Sequence, residues 1–251
     1  MKSIKVSVSQ FPVSDDIKKN IDYIEKQVVT AALEKAQVVH FPETSLSGYG
    51  HNIDRFEWEV LEHGVKKVRE LAKKYSLYII LGTYFKENNE ALPYNSTCVI
   101  DDKGHIEGWY HKRNLYGREN EWFSRGDSSF TTHIHGVKCG FLICYDSCFP
   151  HLFEDYQDEG VDILFISYYN ANNDDGPNTI DSLMTSQIAT RAADYGMHIV
   201  GSNSSKAYSR FAASIAYPDG KVESLPRHQT GILTRQVPTT ELGWTYAHPK
   251  R

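Results

Sequence analysis

Three residues in this chain could carry out nucleophilic chemistry together if the fold joined them: Glu43, Lys112 and Cys144. Each stands directly after an apolar stretch that reads as a strand, the place where α/β proteins gather their ligand sites. Glu43 lies in Phe41-Pro42-Glu43-Thr44-Ser45-Leu46-Ser47-Gly48-Tyr49, between a strand and a glycine-containing turn. Lys112 follows Gly108-Trp109-Tyr110-His111, and Cys144 closes Gly140-Phe141-Leu142-Ile143 ahead of Tyr145-Asp146. A strand-to-helix elbow at Cys144 would set its sulfur beside free backbone N–H groups. Taken singly, each residue has an ordinary explanation: a solvated loop acid, a surface ammonium, an inert core thiol. As a set they make a reaction. A cysteine of pKa about 8.5 is only a few per cent thiolate at neutral pH, so it needs a base, and Glu43 could be that base. Lys112 could stabilise the oxyanion that forms when sulfur adds to an acyl carbon.

The surrounding pattern supplies the strands. Ile4, Val6 and Val8 alternate as on a half-buried strand ending near Pro12. Ser14-Asp15-Asp16 then offers caps for a helix carrying Ile17, Ile24, Val28, Ala32 and Leu33. Residues 37–41 read as a strand stopped by Pro42, and a helix with Val65, Val68, Leu71 and Ala72 leads into the apolar run Leu77 to Leu81. Two hairpins follow, one turning at residues 101–104 and one at His135-Gly136. Val137 to Ile143 reads as a strand, Pro150 to Gln157 as a helix, Val161 to Ile166 as a strand, Ile180 to Tyr195 as a helix and Met197 to Gly201 as a strand. A hairpin at Asp219-Gly220 and a strand over Gly231 to Val237 complete the series. With no internal repeat and no compositional break, residues 1–237 form one predicted α/β unit, two packed sheets with outer helices, and 238–251 an arm.

A chain of 251 residues can bury about 70–75% of its unfolded surface. With 40% hydrophobic and 24% charged residues, it is neither disordered nor fibrous in composition. A formal charge of -5 provides no basic field for nucleic acid. Cys98, Cys139, Cys144 and Cys148 contain no CxxC pair, so reduced thiols are expected. A zinc module built from His133, His135, Cys139, Cys144, Cys148 and His151 has suitable residue types, but cysteine spacings of five and four are not those of a zinc knuckle. The first residues alternate polar and apolar, unlike a signal peptide, and no apolar segment is long enough to span a bilayer, so a cytoplasmic location is expected.

At these residues the sequence resembles the nitrilase, or carbon-nitrogen hydrolase, superfamily, whose members use Glu, Lys and Cys in this chain order. The resemblance runs through Gln10-Phe11-Pro12, Phe41-Pro42-Glu43 with Leu46 and Gly48-Tyr49, and His111-Lys112-Arg113-Asn114-Leu115. It continues through Cys144-Tyr145-Asp146 with Phe149-Pro150, then Arg191-Ala192 and Gly201-Ser202-Asn203. It implies Glu43 as base, Lys112 as oxyanion partner and Cys144 as nucleophile, with no metal or organic cofactor. It also implies a second glutamate after the lysine, for which Glu119 is favoured over Glu121. The implied fold is a four-layer αββα sandwich with two mixed sheets, paired through outer helices into a homodimer or larger even assembly. Tyr156, Tyr195, Trp244 and Tyr246 are candidate interface aromatics.

The implied reaction is hydrolysis of a small carboxamide or N-carbamoyl compound through a cysteine thioester, releasing ammonia or an amine. Cys-Tyr-Asp resembles the amidase and carbamoylase branches more than true nitrilases, where Trp-Glu often follows the cysteine. Nitrile hydrolysis and a catalytically silent binding protein are the alternatives. Tyr49, Tyr145, Tyr168 and Asn170 are expected to bind substrate, with Gly50 to His63 and Asn172 to Thr179 as rims. Cys148 and His151 replace an arginine and a glutamate common in relatives, and none of Arg113, Arg118 and Arg210 is singled out as a carboxylate anchor, so the substrate itself is not read from the sequence.

Overall fold

In the first strand, β1 (Ser3–Phe11), Ile4, Val6 and Val8 face a core shared by two sheets, while Phe11 belongs to a second core beneath helices. The same alternation splits Val38 from Val39 on β2 (Val38–His40) and Ile80 from Ile79 and Leu81 on β3 (Tyr78–Phe85). A period of two with both faces apolar is what a sheet covered on both sides requires. The computed structural model describes residues 3–50, 53, 56–87, 92–171 and 180–239.

The first sheet continues through β4 (Tyr94–Ile100) and β5 (Ile106–His111). The second holds β6 (Thr131–Ile134), β7 (Val137–Ile143), β8 (Ile163–Ser167), β9 (His198–Ser204), β10 (Ser214–Ala216) and β11 (Val222–Ser224). The last strand, β12 (Gly231–Pro238), returns to the first sheet antiparallel to β1. The orders are therefore β5-β4-β3-β2-β1-β12 and β6-β7-β8-β9-β10-β11, and the sheets meet where Gln10 and Phe11 pair with Asn203 and Ser204. Each sheet has three parallel strands, two antiparallel strands beyond the third, and one antiparallel strand beside the first. The topology thus repeats although the sequence does not, because layering constrains burial pattern and direction rather than residue identity.

Helices α1 (Ile17–Leu33) and α2 (Trp58–Tyr75) cover the first sheet with Ile24, Val28, Val68 and Leu71. Helices α3 (Pro150–Asp158) and α4 (Ile180–Tyr195) cover the second with Leu152, Phe153 and Ile188. The result is the four-layer αββα sandwich that the resemblance implied. Asp16 caps α1 by accepting from the N–H groups of Lys18 (3.0 Å) and Lys19 (3.2 Å). Helix α2 begins at Trp58, so part of the rim expected over Gly50 to His63 is helical; its start lacks a side-chain cap at Glu57, the signal a sequence reading relies on. Tyr156 is a core residue rather than an interface aromatic: it is fully buried and its hydroxyl donates to Phe141 O. Residues 172–179 and 240–251, with Trp244 and Tyr246, lie outside the described residues. Among the described residues no helix is long and apolar enough to cross a membrane.

His40 sits between the sheets with Nε2 2.9 Å from Ser167 Oγ and its ring edge-on to Phe165. Burial holds its pKa down at about 3, against 6.5 when unfolded. A depressed histidine contributes stability in full above about pH 6.5 and loses it as the pH falls toward the folded value. Lowering the pH from 7 to 5 is expected to remove about 2 kcal/mol through this residue, at about 1.4 kcal/mol per unit. Urea denaturation at both values checks this, and His40→Asn should flatten the difference.

Candidate active site

Pro42 stops the chain after β2, and the turn that follows folds over the middle of β3. Phe41 N–H donates to Ile80 O (2.9 Å), and Leu46 N–H and Ser45 Oγ both donate to Gly82 O at 3.0 Å. The approach requires glycine at position 82, where a methyl would stand 2.0 Å from Pro42 O. This turn carries Glu43, whose N–H donates to Tyr168 O (3.2 Å) across to the second sheet. Lys112 leaves β5 with its N–H on Asn95 O (2.9 Å), and its carbonyl accepts from Gly126 N–H (2.9 Å).

Cys144 is the first residue after β7 and opens a 3-10 turn, Cys144–Cys148, with φ of +44°. A left-handed conformation at a residue other than glycine stores strain, and here it makes the sharp elbow the strand–turn pattern predicted. Asp146 secures that elbow to the lysine segment. Its Oδ2 accepts from Ile143 N–H (3.1 Å) and Tyr110 OH (2.8 Å), and its Oδ1 from Asn114 N–H (2.8 Å) and Nδ2 (3.1 Å). Both flanks of Lys112 are thereby tied to the cysteine turn.

The charged groups converge. Lys112 Nζ lies 2.7 Å from Glu43 Oε1 and 2.9 Å from Glu119 Oε1, with all three side chains buried. Asn95 Nδ2 donates to Glu43 Oε1 (2.7 Å), and Tyr49 OH donates to Glu119 Oε1 (2.6 Å). Glu43 Oε2 has no hydrogen-bond partner among the described residues. Of the two acids after the lysine, Glu119 reaches Lys112, whereas Glu121 lies at the surface paired with Arg118 (2.8 Å). Burial pushes the Lys112 ammonium down, but the Glu43 and Glu119 carboxylates outweigh it and hold the amine charged. Burial and then the Glu43 charge push the Cys144 thiol well above its usual range, against Lys112 and the Tyr169 backbone N–H. Burial likewise raises Glu43, with Lys112 opposing it. The resting thiol is neutral, with its base already assembled.

The expected substrate residues divide. Tyr49 stacks on Tyr169 with ring centroids 4.7 Å apart, and Tyr145 is partly exposed between Tyr116 and Phe149. Asn170 is clamped by Asn203, whose Nδ2 donates to its Oδ1 (2.6 Å). Tyr168 turns its ring into the core against Phe211 and offers the site its carbonyl instead. Its neighbour Tyr169, which the sequence reading set in the same pocket-lining run but not among the four expected substrate residues, stacks on Tyr49 beside Glu119; strand alternation after β8 was the available signal. Asn95 was also missed, although a lone amide among the apolar residues of a buried strand marks an internal partner. The zinc residues do not converge: no three potential ligands cluster among the described residues, and Cys139 lies in the core.

An αββα sandwich holding an acid, an ammonium and a cysteine elbow at one end of its paired sheets defines a hydrolase of C–N bonds with a cysteine nucleophile. The chain belongs to the carbon-nitrogen hydrolase family, whose model matches residues 5–245. A "Probable nitrilase" of Schizosaccharomyces pombe is 28% identical over 249 residues, 94% of this chain and 89% of that protein. The 2-oxoglutaramate amidase of Bacillus subtilis is 29% identical over 167 residues, 65% of this chain and 62% of that one. The fold is shared with a glutamate-to-glutamine variant of an amidase from Nesterenkonia sp. AN1, with a TM-score of 0.85, 19% identity, and coverage of 99% of this chain and 94% of that one. That structure shows the acetamide moiety of fluoroacetamide added covalently at the active-site cysteine.

Proposed function

We propose that this protein hydrolyses a small carboxamide or N-carbamoyl compound through a thioester on Cys144. The observation that carries the reading is a buried Lys112 held between Glu43 and Glu119, with Glu43 Oε2 unpartnered and Asp146 tying the Cys144 turn to the lysine segment. Glu43 takes the thiol proton as sulfur bonds to the carbonyl carbon. The carbonyl electron pair moves to oxygen, where Lys112 Nζ and the Tyr145 N–H hold it. As the C–N bond breaks, Glu43 returns the proton to the leaving nitrogen, and ammonia or an amine departs. Glu43 then takes a proton from water as the hydroxide adds to the thioester. Collapse breaks the S–C bond, releases the acid, and the proton on Glu43 returns to sulfur.

Glu119 holds Lys112 in line and is itself held by Tyr49, while Tyr49, Tyr145 and Asn170 surround the substrate. Two of the relatives are named as amidases, and Cys-Tyr-Asp resembles the amidase branches, which supports an amide over a nitrile. The reading includes an even homo-oligomer paired through the outer helices and action on small molecules in the cytoplasm. The test supplies paired amide and nitrile substrates and follows ammonia and acid by quenched-flow mass spectrometry. The amide is expected to give an acyl adduct on Cys144 and then the acid; acid formed only from the nitrile would overturn the branch assignment.

A further inference from the structure

We propose that Lys206 selects, for this site, small amides carrying a carboxylate at the end remote from the scissile bond, an inference that rests on the amide-hydrolase reading above. None of the three arginines weighed as anchors stands exposed and away from a carboxylate. Arg113 pairs with Asp155 (3.0 Å), Arg118 pairs with Glu121 at the surface, and Arg210 is buried, at 2% exposed. Lys206 is exposed, and its Nζ donates to Tyr169 OH at 3.4 Å. An ammonium has three donors, and among the described residues this one meets no carboxylate.

Tyr169 connects that cation to the chemistry. Its ring stacks on Tyr49, whose hydroxyl donates to Glu119 (2.6 Å) beside the Lys112 ammonium, and its own hydroxyl meets Lys206. An acyl group bonded to Cys144 and lying along this ring would bring its far end to Lys206. The backbone there is fixed: Ser205 N–H donates to Phe11 O (3.0 Å), Lys206 N–H to Ser204 Oγ (3.2 Å) and Ser209 N–H to Lys206 O (3.1 Å). Charge balance leads to the same place. Inside the site two carboxylates face one ammonium, so a third negative charge there would be buried without a partner, whereas at the rim it meets a cation in water. Two carboxylates also act on Tyr169, the exposed Asp15 and, inside the site, Glu43.

The test measures kcat/KM for two matched substrates, the monoamide of a short dicarboxylic acid and the same amide with a terminal acetyl group in place of the carboxylate. The ratio of anionic to neutral turnover is expected to fall about tenfold in Lys206→Gln, chiefly through KM, and further in Lys206→Glu. Asp15→Asn should raise it about two- to threefold, and added salt should shrink the wild-type ratio. A ratio unchanged in both Lys206 variants while the amides are still hydrolysed would overturn the proposal and leave the amide reading standing. Two inert amides in the wild type would overturn both.

Discussion

Cys144→Ala is expected to lower amide turnover by at least about 10⁴-fold, and Cys144→Ser to restore only a trace. The elbow explains why no other thiol substitutes. Cys98 and Cys139 are buried in the cores, where burial raises their pKa, and Cys148 lies at the far end of the 3-10 turn. Serine fails for a chemical reason: its hydroxyl gives up a proton far less readily than a thiol, and burial beside the Glu43 charge already disfavours an anion there, against the pull of Lys112 and the Tyr169 N–H. Because the raised thiol pKa leaves sulfur protonated at rest, the wild type should show no thiolate absorbance at neutral pH. Ammonia release by the three proteins checks the effect; full activity in the alanine variant would remove Cys144 as nucleophile.

Lys112→Met should fail in two ways at once. Turnover is expected to drop about 10²–10³-fold, the usual consequence of removing one oxyanion donor. Folding stability is expected to drop by about 3–5 kcal/mol, because Glu43 and Glu119 would remain buried without their shared partner. The pH dependence separates the two effects. Without the ammonium, the folded-state pKa of the carboxylates rises above the unfolded value, so the folded variant binds protons more tightly. Its stability deficit should therefore shrink as the pH falls and grow as it rises. Urea denaturation across pH, beside steady-state kinetics, checks both. A variant of normal stability would mean that the pair is not sealed from water as the geometry indicates.

Several features were legible in the chain for a local reason. Glu43, Lys112 and Cys144 could be found because each follows a strand, and a period-two run followed by a polar residue needs no long-range information to read. The hairpin turns and the Asp16 cap belong to the same category, since turn and cap chemistry is settled within a few residues. The start of α2 was not legible because no cap marks it, and the repeated β-α-β-α-β-β-β order was hidden because two halves can share a pattern without sharing residues.

By itself, then, the amino-acid order determined the elements, the family and the three side chains proposed to react, because these depend on residue type and near neighbours. Only the tertiary structure decided between Glu119 and Glu121: two residues apart on a tight turn, one is carried inward to Lys112 and the other out to Arg118. It likewise chose Tyr169 over Tyr168, assigned Asp146 to hold the lysine and cysteine segments together, and placed Lys206 at the hydroxyl of Tyr169. These depend on distances between segments far apart in sequence, which packing of the two sheets sets and no local pattern encodes.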